Sequence, residues 1–295
     1  MIRLKYLVGA GLLLCASHTV LAQSSPPIKQ QGERIKKPSI LALSPHVVEM
    51  LFAIGAGDQI IATTDHSDYP EAAKAIPRIG NYAKLQIERV IELQPDLIIA
   101  WKTGNPADDL QRLQKLGFKL VYSDPKSLLD VAKEIQHFGN LTGNKAQGNE
   151  VAGKYIKRLR AIQQKYKDKT PIKVFYELWS RPLSTIAKGS WPQLHLDTCG
   201  AVNPFYEATN SYPQVGIEKV LVHDIQLIIQ PLSANQPAKE GFNWSDWQAL
   251  KAVTHNQIIQ PDADQLHRMT TRVLDEIEIL CQDIDKTRLF YQNLQ

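Results

Sequence analysis

One stretch of this chain occurs twice, and that repeat limits what the chain can fold into. Tyr82-Ala-Lys-Leu-Gln-Ile-Glu-Arg-Val-Ile is followed by Pro95-Asp-Leu-Ile-Ile. Tyr212-Pro-Gln-Val-Gly-Ile-Glu-Lys-Val-Leu is followed by Ile225-Gln-Leu-Ile-Ile. In both copies an aromatic ring precedes a Glu by six positions, the Glu opens an amphipathic helix, and an apolar Leu-Ile-Ile strand follows. A repeat so widely separated describes two related lobes, not a short-period solenoid. Glu88 and Glu218 then occupy matching places on the two lobes, as do Tyr82 and Tyr212. Paired rings on one face with paired carboxylates nearby describe a ligand cleft between lobes and a two-point docking surface. Helix–strand units of this kind recur throughout α/β proteins, so the matched Tyr and Glu carry the functional reading, not the units themselves.

The N-terminus reads as a secretory signal over residues 1–22. Arg3 and Lys5 precede an apolar run from Leu7 to Cys15, and Val20-Leu-Ala22 gives a cleavage site after Ala22. The run is too short for a spanning helix. A lipoprotein reading through Cys15 is disfavoured because Leu14 stands where a small residue is expected. Residues 23–37 are polar with paired prolines and read as a flexible leader. Loss of Arg3 and Lys5 with the signal leaves 32 basic against 30 acidic residues. That balance gives no electrostatic footprint for nucleic acid or anionic membranes. Only Cys199 and Cys281 survive cleavage. Two cysteines in an exported chain favour one disulfide. No CxxC is present to support a metal or catalytic thiol.

The rest alternates strand and helix. Ser39–Ser44 and Gln59–Thr63 read as strands around a helix that Gly55-Ala-Gly57 stops. Ile87–Leu93, Ala107–Leu116 and Ser127–Phe138 read as helices, with strands at Asp96–Trp101 and Lys119–Ser123. This βαβα order predicts a doubly wound parallel sheet over residues 38–142. Residues 143–169 break the rhythm. Val151, Tyr155, Leu159, Ile162 and Tyr166 step by three or four, which predicts one long helix of roughly 35–40 Å. A single helix is a stiff connector. The second lobe, 170–295, restarts at Ile172 with a strand, and helices follow at Trp191–Cys199 and Ile217–Val222. Strands at Ile225–Gln230 and Gln257–Gln260 follow, separated by a polar loop, Ser233–Trp247, that carries Phe242, Trp244 and Trp247. A closing helix runs from Asp264 to about Gln292, with an interruption left open.

Candidate site residues fall at the carboxyl ends of strands, where open α/β sheets bind ligands. His66, Tyr82 and Trp101 are the N-terminal set; the C-terminal set is Trp179, Arg181, Tyr212, Asp264 and Arg268. Each aromatic alone can equally cap the core. Asp264 and Arg268 are spaced i,i+4, which is consistent either with a solvent-exposed ion pair on a helix or with two groups aimed at a ligand. The histidines show no HxH or HExxH spacing, and P-loops and nucleophile elbows are absent. The sequence therefore predicts no catalytic residue, no metal site and no cofactor.

Three segments carry a family resemblance. Leu43-Ser-Pro-His-Val-Val-Glu-Met-Leu-Phe-Ala-Ile-Gly, Ser67-Asp-Tyr-Pro, and Ile87-Glu-Arg-Val-Ile-Glu-Leu-Gln-Pro-Asp-Leu-Ile-Ile-Ala-Trp resemble the periplasmic cobalamin-binding proteins of bacterial vitamin importers. The match is densest over 40–143 and continues through Tyr212-Pro-Gln-Val, Cys199 with Cys281, and Asp264 with Arg268. The wider family also holds haem and siderophore binders. The resemblance implies two Rossmann-like lobes on one long helix, with the ligand in the cleft between them. It implies that His66, Tyr82, Trp101, Tyr212, Asp264 and Arg268 line a corrinoid site. Further, Glu88 and Glu218 would meet a membrane-embedded ABC permease, which works with ATPase subunits. The expected working form is a periplasmic monomer that captures cobalamin as cargo. The chain departs from the family pattern at His66, Tyr82 and Tyr212, where the family carries Tyr, Trp and Trp. A Phe expected near Ser184 is missing, and Trp179 can compensate. His66 can also approach the central cobalt. Two rivals remain: a haem or siderophore binder of the same fold, and an exported enzyme using a scattered His/Asp set.

Overall fold

The computed structural model describes residues 37–233 and 242–294. The signal segment, the leader up to residue 36 and the middle of the Ser233–Trp247 loop lie outside the described residues. In the N-terminal lobe, β1 (Ile40–Ala42), β2 (Ile60–Thr63), β3 (Leu97–Trp101) and β4 (Leu120–Ser123) form a parallel sheet in the order β2-β1-β3-β4. The C-terminal lobe opens with β5 (Ile172–Tyr176) and an antiparallel hairpin, β6 (Trp179–Ser180) with β7 (Leu183–Ser184). Then β8 (Ala201–Val202), β9 (Leu227–Ile229) and β10 (Ile258–Ile259) join β5 in the parallel order β8-β5-β9-β10. In each lobe the order is second, first, third, fourth strand. The duplication read from sequence is therefore a duplication of topology.

The helices of the N-terminal lobe are α1 (Pro45–Ala53), α2 (Ile87–Leu93), α3 (Ala107–Lys115) and α4 (Leu128–Leu141). The connecting helix is α5 (Lys145–Tyr166). In the C-terminal lobe they are α6 (Trp191–Thr198), α7 (Ile217–Leu221), α8 (Lys251–Thr254), α9 (Ala263–Leu266) and α10 (Val273–Gln292). The repeated motif places α2 before β3 and α7 before β9, so Glu88 and Glu218 each lie in the first turn of an equivalent helix.

Both faces of each sheet are buried, as a parallel sheet requires. Along β1, Ile40 and Ala42 enter one core while Leu41, with Leu43 just beyond, enters another. Along β5, Val174 and Tyr176 face the first core and Phe175 a third. That first core is shared. It runs from the N-terminal sheet through Ala152, Tyr155, Leu159, Ile162 and Tyr166 of α5 into the C-terminal sheet, α6 and α10. The period-3.6 stripe on α5 thus joins the lobes through apolar packing as well as through the chain.

Two expectations are corrected in detail, and the interruption left open in the closing helix is present. The connector has 22 residues, about 33 Å; it starts later than 143 because Gly143 at φ 74° separates it from α4, and it ends at Tyr166, short of 169. The strands are one to three residues shorter than read; β2, β3 and β4 keep their last residues, Thr63, Trp101 and Ser123, and lose only their first. The closing helix is two helices. Asp262 caps α9 by accepting from the N–H groups of Asp264 and Gln265, and the chain then breaks over 267–272 before α10.

Cys199 and Cys281 form the expected disulfide, with Cα atoms 4.8 Å apart, and it ties the end of α6 to α10 within the second lobe. Arg158 of α5 pairs with Glu278 at 2.6 Å and with Asp275, bracing the connector against α10.

Helices α4 and α5 meet at two glycines. A Cβ on Gly148 would lie 3.0 Å from Cα of Gly139 and 3.1 Å from the Ile135 carbonyl oxygen, both backbone atoms that cannot swing aside. Gly148→Leu should force the helices apart and lower unfolding free energy by about 1–3 kcal/mol, despite leucine's better helix propensity. Urea denaturation measures this; unchanged stability would mean that the glycine contact is slack.

Candidate functional site

At the carboxyl end of β3 the chain delivers Trp101 to the gap between the lobes. Its backbone N–H is accepted by Asn105 Oδ1 at 2.7 Å, and Asn105 Nδ2 donates to the Leu43 carbonyl at 2.7 Å. The loop beyond β3 is thereby tied to the end of β1. Gly104 lies directly against the indole, so close that a Cβ there would overlap it. The edge of Trp101 packs against His46, with ring centroids 5.4 Å apart at 85°. His46 is buried, and burial pushes its imidazole down to about 3. Its Nε2 lies 2.8 Å from Ser123 Oγ, which donates in turn to Glu134 at 2.5 Å. Since the serine proton goes to the carboxylate, His46 donates its Nε2–H and is held as a neutral ring. Burial raises the Glu134 carboxyl.

The opposing wall comes from the C-terminal lobe. Trp191 is buried, and its indole N–H donates to the Leu266 carbonyl at 2.9 Å. Its backbone N–H reaches the Tyr212 hydroxyl at 3.4 Å. Trp179, 62% exposed, projects from the β6/β7 hairpin. Together with Trp101, Arg181, His267 and Met269, these rings line a cleft of about 650 Å³. His267 Nε2 lies 2.9 Å from the hydroxyl of buried Tyr176. Desolvation pushes this imidazole down to about 4, against the opposing pull of Asp264 and Asp262. It is therefore neutral at neutral pH, and Nδ1 has no hydrogen-bond partner among the described residues.

Of the expected site residues, Trp101, Trp179, Arg181 and Tyr212 converge on the cleft, and His66, Tyr82, Asp264 and Arg268 do not line it. Tyr82 is 77% exposed, in a turn that Asn81 holds by accepting from the Ala83 and Lys84 N–H groups. His66 adopts φ 64°, and its backbone carbonyl, not its ring, accepts from Arg268 at 3.3 Å. The i,i+4 pairing of Asp264 and Arg268 is corrected as well. Helix α9 ends at Leu266, Asp264 accepts from Ser233 Oγ at 2.9 Å, and Arg268 reaches across to Glu49 and Asp68. Trp191, His267 and Met269 were not read as site residues. His267 lies between two residues that were, and that adjacency was its signal; Trp191 carried none beyond opening a helix.

The aromatic loop at Phe242–Trp247 serves the core. Trp244 is buried and donates from its indole to Glu177 Oε2 at 2.6 Å, and its ring stands 5.3 Å from Phe175. Glu177 also accepts from Gln230, Ser180 and the Phe242 N–H. Among the described residues no group of three or more His, Cys, Asp or Glu is arranged to hold a metal ion, and no helix is long and apolar enough to cross a membrane.

A family model for periplasmic binding proteins matches residues 40–265. The chain belongs to this periplasmic binding protein family. The vitamin B12-binding protein of Vibrio cholerae serotype O1 is 38% identical over 243 residues, covering 82% of this chain and 87% of its own. The crystal structure of periplasmic vitamin B12 binding protein BtuF of Vibrio cholerae superposes with a TM-score of 0.79 at 36% identity, covering 85% of this chain and 98% of that one. The periplasmic haem-binding protein BhuT, in complex with two haems, superposes at 0.76 with 16% identity over 85% of this chain and 99% of its own, which shows shared fold alone. These family members are binding proteins, and the two-lobed architecture is theirs.

Because Gly104 backs the Trp101 ring, Gly104→Val should push the indole off the His46 edge and partly fill the cleft. A crystal structure of the variant checks this. An indole still edge-on to His46 would mean that the loop, not the ring, gives way.

Proposed function

We propose that this protein is exported to the periplasm, captures cobalamin in the cleft and delivers it to an ABC importer. The observation that carries the reading is the cleft's wall: Trp101 from one lobe opposite Trp179, Trp191 and Tyr212 from the other. Facing ring systems bury the flat faces of a macrocycle without requiring charge. Similarity to vitamin B12-binding proteins over most of both chains supports the same choice. The cargo's side amides then meet the polar groups of the lining, Arg181, Ser184 and Gln214. Asp264 and Arg268, expected to meet those amides, are engaged within the protein in this conformation, so they reach the cargo only by exchanging partners. His267 takes over the approach to the cargo's metal that the sequence suggested for His66, since its neutral imidazole belongs to the cleft wall.

Haem is the second reading, and the same imidazole favours it, because a neutral His is a common haem-iron ligand. Titration of the purified protein with cyanocobalamin and with hemin decides between them. Saturable cyanocobalamin binding with weaker hemin binding supports the proposal; the reverse order favours haem. Trp101→Ala should cost about 2 kcal/mol or more in cobalamin affinity, and Trp247→Ala much less, because Trp101 is held rigidly and loses little entropy on binding. Equal losses would show that the wall lies elsewhere.

Glu88 and Glu218 are proposed to dock the two lobes on arginines of a permease. Both are exposed in the first turn of equivalent helices, and among the described residues Glu88 makes only a long 3.5 Å contact with exposed Arg112. Glu88→Ala with Glu218→Ala should leave cobalamin affinity unchanged and weaken uptake, since desolvated interface pairs contribute far more than exposed ones. Vesicle uptake assays check it; a double variant that binds poorly yet still feeds the importer reverses the assignment.

A further inference from the structure

We propose that Glu49 fixes the width of the cleft, its buried carboxylate holding the two lobes at a ligand-sized separation through Arg268 and Arg272. Glu49 lies on α1 of the N-terminal lobe and its side chain is 3% exposed. Arg272 approaches it as a fork, Nε to Oε2 at 2.9 Å and Nη2 to Oε1 at 2.7 Å. Arg268 Nη1 adds a third donor to Oε1 at 3.0 Å. Both arginines come from the break between α9 and α10, so every one of these bonds crosses from one lobe to the other. The segment 66–69 completes the contact. Asp68 Oδ1 accepts from Arg268 at 2.7 Å, the His66 carbonyl accepts from the same guanidinium, and the Arg272 guanidinium lies 3.7 Å from the Tyr69 ring centre.

The two carboxylates and two guanidiniums balance in charge, and their partners are not interchangeable. Asp68 is 42% exposed, so water can replace it. Glu49 is not, and its loss would strand two arginines against each other in a poorly solvated seam. The break that presents Arg268 also presents His267 and Met269 to the cleft. Displacing the arginines therefore moves the cleft wall with them. Glu49 touches neither the cleft nor its contents; it is a positioning residue acting through Arg268 and Arg272. The role concerns the lobes, so it stands apart from the choice of cargo.

In protein lacking residues 1–22, and with them Cys15, spin labels at Lys115→Cys on α3 and Val222→Cys at the end of α7 report the distance between lobes, since Cys199 and Cys281 are already paired. In the ligand-free protein, Glu49→Gln should lengthen and broaden that distance, while Asp68→Asn changes it much less. With cyanocobalamin as the ligand, Glu49→Gln should also release it about tenfold faster. An unchanged distance distribution in folded Glu49→Gln overturns the proposal. If that variant does not fold, Arg272→Lys, which keeps the charge but loses the fork and the ring contact, must lengthen the distance, and its failure to do so also overturns the proposal. If the parent protein does not bind cyanocobalamin, the reading of the cargo fails and the distances alone decide the role of Glu49.

Discussion

The architecture depends on the burial of α5 between the lobes. A helix that merely linked two domains would show water-facing residues all round. Here Tyr155, Leu159, Ile162 and Tyr166 lie in a core that continues into both sheets. The Gly139–Gly148 approach locks α4 onto one side, and the Arg158 pairs lock α10 onto another. Rotating one lobe against the other would expose that apolar face, at about 25 cal/mol for each square ångström uncovered. That cost opposes rotation of the lobes about α5.

The cleft wall is made largely of aromatic rings. Trp101 is held from three directions: by Asn105 at its backbone, by Gly104 behind it and by His46 at its edge. Across the gap, Trp191 is anchored to Leu266 and Tyr212 to Trp191. Trp179, on its short hairpin, is the most exposed of these rings at 62%. Such a wall suits a large flat cargo whose ordering cost falls on the cargo, not on the protein. Arg268 and Arg272, behind the wall, already have carboxylate partners, whereas Arg181 on the lining has no ion pair among the described residues.

Much was legible in the sequence because its signals are local. The Tyr-x5-Glu repeat announced two lobes, since a helix–strand unit is specified within about fifteen residues, and its matched topology followed. The apolar stripe of α5 specified a buried connecting helix by its period alone. Cys199 and Cys281 had no alternative partners once the signal was set aside. Helix ends were read less well. The αL turn at Gly143 and the break after Leu266 depend on what the neighbouring segments bond to.

Tertiary structure decided which candidate rings meet. Trp101, Trp179 and Tyr212 share a cleft, but Tyr82, the repeat partner of Tyr212, does not, because a turn held by Asn81 carries it to the surface. Asp264 and Arg268 looked like one helix face. They separate because Arg268 finds Glu49, more than two hundred positions earlier in the chain. His66 offers its carbonyl where its ring was expected, for the same reason. Local pattern determined the elements and the presence of aromatic residues at strand ends. The direction in which each side chain finally faces was settled by charge pairs and packing between residues far apart in sequence, which no local periodicity encodes.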